Sequence, residues 1–226
     1  MRLIDEHYLE HPDKGARRMH IWLTKDLDYH ISLNRVENFY YNKLALRSIL
    51  PVPHTSKRNK EHKTYPYLVR GLKVTKPNQV WGTDITYIPM ASGFMNLIAV
   101  IDLYSRYVVH WSVSNSMEAE WCSEFIQDAF DINGTPEILN KDQGAQFKSE
   151  VFRSTVLSSD VKLAMDGKGR ATDNVFIERL WRSVKYEKIY IHPPKDGVDL
   201  YYYNNVRRHS GIEDQVPATK YIESVN

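Results

Sequence analysis

Trp81-Gly-Thr-Asp-Ile-Thr-Tyr-Ile88 is the stretch on which the fold turns. Ile85 and Tyr87 alternate with Thr86 and Ile88, the two-residue period of a strand occupied on both faces. Asp84 would then project from a rigid sheet rather than from a loop. Working outward, Asn96-Leu-Ile-Ala-Val-Ile-Asp102 and Tyr107-Val-Val-His-Trp-Ser-Val113 are β-branched apolar runs joined by a short Leu-Tyr-Ser-Arg connection. With the first stretch they predict an antiparallel meander. Met117 to Asp131 carries Trp121, Phe125, Ile126 and Phe130 at helical spacing, and Asn133-Gly134 ends it. Pro136-Glu-Ile-Leu139 reads as a short buried strand, and Gln143-Gly144 as a turn, so Asp142 is expected at a strand end. Hairpins followed by alternating strands and helices predict one mixed α/β core.

Asp173 to Tyr186 predicts a helix with Ile177, Leu180 and Val184 on a core-facing stripe. Asn174, Glu178 and Lys185 fall on a neighbouring polar face. Asp84, Asp142 and Glu178 therefore come from three separate elements, with 35 residues between the last two. Phosphoryl transfer assisted by divalent metals needs hard oxygen ligands from separate segments, because two ions must flank a phosphate with positions left open. An amide and an ammonium beside the third carboxylate suit a metal-bound phosphate backbone. Spacing alone carries little, since the chain has 28 Asp and Glu. The local sequences decide.

Those residues carry a resemblance. Trp81-Gly-Thr-Asp-Ile-Thr-Tyr, Ile101-Asp-Leu-Tyr-Ser-Arg106, Asp142-Gln-Gly-Ala-Gln-Phe and Asp173-Asn-Val-Phe-Ile-Glu with Trp181 and Lys185-Tyr-Glu follow one another, then Tyr203-Asn204, Arg207, His209-Ser210 and Val216-Pro-Ala218. In this order the chain resembles the second reading frame of the DDE-type bacterial insertion-sequence transposases, made by frameshift fusion of two frames, whose core is similar to that of retroviral integrases. The resemblance implies a ribonuclease-H-like fold, a mixed five-stranded sheet flanked by helices. It also implies an Asp84, Asp142, Glu178 triad holding two divalent ions, Mg²⁺ or Mn²⁺. The activity implied is cleavage at transposon ends and joining of the 3′-hydroxyl to another phosphodiester, with Asn174 and Lys185 holding the DNA strand. Three positions depart from the family pattern: Ala16 replaces an aromatic residue, Lys141 a small polar one and Arg208 a proline. None removes a metal ligand.

The net charge of +2 hides an asymmetry. Residues 1–80 carry 15 Lys and Arg against 8 Asp and Glu, whereas 81–226 carry 15 against 20. Within 43–76, nine basic residues, among them Lys57, Arg58, Lys60 and Lys63, face the single acid Glu61. A basic arm on an acidic catalytic core suits double-stranded DNA, the arm neutralising phosphates while the carboxylates hold cations. A solvated linker is the alternative. Leu3 to Glu10, Ala16 to Leu27 and Leu33 to Leu46 read as three helices, the third N-capped by Ser32. They resemble the family's small helix-turn-helix domain, with Arg17 and Arg18 as DNA contacts. The expected division is a helical domain over 1–50, a basic linker over 51–78, the integrase-like core over 79–192 and a helical extension over 193–226.

The single Cys122 excludes an internal disulfide and a cysteine-based zinc site, and no apolar run approaches a membrane span. A cytoplasmic protein, nucleoid-associated on DNA, is expected. The nine histidines suggest no repeated metal-ligand spacing. Asp102 reads as a turn cap, His209 as a hydrogen-bonding residue, and Trp181 as a core or interface aromatic. Assembly as a homo-oligomer on DNA, with the upstream reading-frame product as a further partner, follows from the resemblance. Two other readings stand beside it: a ribonuclease-H-like nuclease, and a non-catalytic DNA-binding regulator. The regulator draws on a chain that begins at Met1 without the family's upstream recognition region.

Overall fold

The computed structural model describes residues 1–49, 68–69, 71–90, 93–142, 144, 146–165, 175–195 and 197–225. Its centre is a five-stranded sheet of β1 (Val80–Pro89), β2 (Phe94–Asp102), β3 (Val108–Ser114), β4 (Ile138–Lys141) and β5 (Lys162–Met165), in the order β3-β2-β1-β4-β5. The meander β1-β2-β3 is antiparallel, as its alternating sequence predicts. β4 and β5 join parallel to β1. β4 starts two residues later than its sequence suggests and takes in Asn140 and Lys141. Parallel pairing of Val80 to Thr83 with Ile138 to Lys141 fixes that register and overrides the polar composition.

Alternation along the strands gives the sheet two apolar faces. One, with Val80, Ile88, Leu97 and Ala99, packs against Ile177, Leu180 and Val184 of α6 (Val175–Val184). The other, with Trp81, Ile98 and Val100, packs against α4 (Ala119–Asn133) and α5 (Glu150–Ser158). Gly134, at φ 75°, closes α4 in the left-handed region that glycine enters without strain.

The amino-terminal unit has its own small core of Ile4, Met19, Leu23, Val36 and Tyr40. It comprises α1 (Arg2–Glu10), α2 (Ala16–Ile21) and α3 (Leu33–Glu37), the last two continuing as π-helical turns over Trp22–Asp26 and Asn38–Lys43. Ser32 does occupy the N-cap of α3, but its side chain makes no capping bond.

After α6 and its π-helical turn Lys185–Ile189 come α7 (Tyr201–Asn205) and α8 (Pro217–Val225). Asn204 reads the edge strand in both directions: Val108 N–H donates to its Oδ1 at 2.8 Å and its Nδ2 donates to Val108 O at 2.9 Å. Trp111 Nε1 donates to Val198 O, and Tyr221 stacks on Tyr107. An edge that would otherwise offer unpaired backbone groups is thereby covered. No helix among the described residues is long and apolar enough to cross a membrane.

Candidate active site

β1 pairs with β4 as far as Thr83 and Lys141, so Asp84 and Asp142 are each the next residue beyond the last pair. Within β1, Asp84 shares the α6 face with Val80 and Ile88, because successive strand side chains alternate. Lys141, fully buried, belongs to the opposite face. α6 then closes on β1 through two polar contacts. Trp181 Nε1 donates to Asp84 Oδ2 at 2.9 Å, and Lys185 Nζ donates to Thr86 Oγ1 at 2.6 Å. Glu178, Trp181 and Lys185 stand at i, i+3 and i+7, one stripe of the helix. Glu178 is the exposed member and Trp181 the buried one.

Asp142 is held locally. Gly144 N–H donates to its Oδ1 at 2.8 Å. A Cβ on Gly144 would stand 2.9 Å from that oxygen, so the close approach requires glycine. Burial lowers the Lys185 pKa, with the Asp84 charge opposing it. Lys185 is therefore tied to the strand that carries Asp84 instead of extending freely from the helix face.

The donor chemistry fits divalent ions, since three carboxylates from a strand, a strand end and a helix are hard oxygen ligands. N–H groups from Trp181 and Gly144 orient one oxygen each on Asp84 and Asp142. Among the described residues, the one set of three His, Cys, Asp or Glu side chains whose ligand atoms all lie within 4.8 Å is instead His7, Glu10 and His11, at the end of α1. The triad's oxygens are spread wider than that. This helical pairing of histidines corrects the expectation of no repeated spacing. A cation already serves it: Lys14 Nζ lies 2.9 Å from His7 Nε2. Burial, then Lys14 and His11, pull His7 down to about 3, and its ring lies flat on Trp22 at 3.7 Å.

Of the other expected DNA contacts, Arg17 is exposed on α2. Arg18 is engaged internally, 2.6 Å from Glu187 and 3.5 Å from Asp13. Asn174, Lys57, Arg58, Lys60 and Lys63 lie outside the described residues. Asp102 is a cap, its Oδ2 accepting from Ser105 N–H and Oγ and its Oδ1 from Asn78 N–H. His209 Nδ1 accepts from Gly211 N–H. The place of Trp181 one turn from Glu178 signals that it lies near that carboxylate, while its bond to Asp84 leaves no local pattern.

Residues 74–171 match the integrase core domain family. The transposase for insertion sequence element IS904 of Lactococcus lactis subsp. lactis is 32% identical over 156 residues, covering 64% of this chain and 62% of that protein. Transposase InsF for insertion sequence IS3A of Escherichia coli is 30% identical over 170 residues, covering 69% and 59%. The chain thus spans about three fifths of the length of these curated relatives. Among solved structures, the HTLV-2 integrase catalytic core in complex with magnesium superposes with a TM-score of 0.52 at 16% identity, covering 66% of this chain and 99% of that one. A chain of the simian T-cell lymphotropic virus intasome gives 0.58 at 16%, covering 93% and 74%. Residues 74–171 thus match an integrase core domain and lie on a ribonuclease-H-like fold, and the chain is similar to the bacterial insertion-sequence transposases.

Proposed function

We propose that this chain is a transposase subunit, a DDE polynucleotidyl transferase that cuts DNA at transposon ends and joins the freed 3′-hydroxyl to a second phosphodiester. The observation that supports the reading is that α6, which carries Glu178, is tied to β1 at Asp84 by the Trp181 bond, while β4, paired with β1, leads into Asp142. Asp84 and Asp142 would hold one divalent ion, Mg²⁺ or Mn²⁺, and Asp84 and Glu178 a second. Such ions supply Lewis acidity for the attacking and leaving oxygens. The chain's own part is to hold the carboxylates on rigid elements and to keep Lys185, tied to Thr86, as a positive charge beside them. The basic residues of 43–76 supply phosphate contacts, and assembly on DNA is oligomeric, with the upstream-frame product as a further partner.

The test is incubation of the purified chain with Mg²⁺ or Mn²⁺ and labelled end-containing DNA, followed by separation of nicked and joined products. Asp84→Asn, Asp142→Asn and Glu178→Gln should each abolish both products while leaving the melting temperature and DNA retention largely intact. Wild-type cleavage by any one of them removes that residue from the chemistry, and nicking without joining would favour a nuclease.

A further inference from the structure

Trp181 is a buried tryptophan, 7% exposed, within the cluster that packs α6 on the sheet. An indole has one polar atom, and it donates only. Here that N–H donates to Asp84 Oδ2 at 2.9 Å, across 97 positions of sequence. Without this acceptor a buried donor would lose its partner. The ring is packed in place, so its direction fixes the carboxylate's direction.

We infer that Trp181 is a positioning residue for the metal centre, its indole N–H setting the rotation of the Asp84 carboxylate. A carboxylate offers about four acceptor sites, two on each oxygen. One of them, on Oδ2, accepts from the indole. The same bond sets the spacing of α6 from β1 one helical turn beyond Glu178, so one N–H governs the geometry of two ligands at once. Donors of this kind, which touch a ligand and not the ion, typically change metal affinity 10- to 100-fold. The inference rests on the metal-binding reading of Asp84 proposed above.

The test is calorimetric titration of Mn²⁺ into the purified full-length chain as wild type, Trp181→Phe and Asp84→Asn, with cleavage followed over a range of Mn²⁺ concentrations. Trp181→Phe should raise the Mn²⁺ Kd about 10- to 100-fold. Its cleavage should recover toward the wild-type rate as Mn²⁺ is raised, which a merely unfolded variant cannot do. Should Trp181→Phe fail to fold, benzothienylalanine incorporated at position 181 keeps the bicyclic shape and replaces only the N–H by sulfur, and the same rise in Kd is expected. An unchanged Kd in the folded variant, with Asp84→Asn losing Mn²⁺, overturns the positioning role and leaves the metal reading intact. Should Asp84→Asn bind Mn²⁺ like the wild type, the metal reading of Asp84 fails and this inference falls with it.

Discussion

At the scale of single residues, the site depends on two small contacts that hold carboxylates. Gly144 is the one at Asp142. A methyl group there would meet Asp142 Oδ1 at 2.9 Å, Gln146 Oε1 at 3.1 Å and the buried Phe147 ring at 3.4 Å. Phe147 cannot retreat from a packed core, so the Asp142 and Gln146 side chains must yield. Gly144→Ala should therefore displace the carboxylate with little effect on the fold. A displacement near 1 Å at a reacting centre costs about 10²-fold in rate. Cleavage assays paired with thermal melts check this, and an alanine variant cleaving at the wild-type rate would show that Asp142 is not so tightly placed. Sequence reading recognised Gly144 as a turn residue, because Gln-Gly after a short apolar run is a local signal. Trp181 as the partner of Asp84 could not be read, because a contact across 97 positions leaves no local pattern.

At the scale of elements, the readable parts were those whose burial pattern is set by their own residues. β2 is apolar from Leu97 to Ile101, and α6 shows its buried stripe at helical spacing. β4 was placed two residues early because Asn140 and Lys141 look like loop residues until β1 is beside them. The segment between α7 and α8 is a further case. There His209 pairs with Gln215 in an isolated bridge and accepts from Gly211 N–H. Burial, then the charges of Arg207, Arg106 and Arg179, pull its pKa from 6.5 to about 4, with Glu187 opposing. The fold thus favours the neutral ring. Its contribution to stability is complete above pH 6.5 and is lost as pH falls from there toward about 4, since the unfolded chain takes up the proton first. His7 adds a loss of the same sign. His209→Asn keeps an acceptor for Gly211 and removes the titration, so its melting temperature should fall less steeply than that of the wild type between pH 6.5 and 4. Parallel pH profiles for the two proteins would remove His209 from the acid response.

At the scale of the whole molecule, Glu187 joins the two ends of the chain. The resemblance marked Lys185-Tyr-Glu187 and Arg207 as separate motifs, and the fold makes them one ion cluster. Arg207 grips Glu187 with Nε at 2.7 Å and Nη2 at 2.9 Å, while Arg18 of the amino-terminal unit reaches it at 2.6 Å. Burial raises the Glu187 pKa, but the Arg207 bonds and Arg18 outweigh it and leave the carboxyl below its usual range. A second pair, Arg208 with Asp26 at 2.7 Å, repeats the link between carboxy-terminal segment and amino-terminal unit. The Glu187 side chain is only 7% exposed and that of Arg207 13%, so removing the charge strands the Arg207 guanidinium in a poorly solvated place, while the exposed Arg18 keeps solvent and Asp13. Breaking a buried pair in this way costs about 3–5 kcal/mol, more than the pair contributes relative to an apolar replacement. Glu187→Gln should therefore lower the urea midpoint of the whole chain. Because Arg18 is released as well, the amino-terminal unit should lose its docking first, which Trp22 emission reports once the spectrum of a matching Trp22→Phe variant is subtracted to remove the core tryptophans. A single unshifted transition in Glu187→Gln would mean that the helical unit is held by apolar packing alone, and that the ion cluster aligns the two ends without stabilising their union.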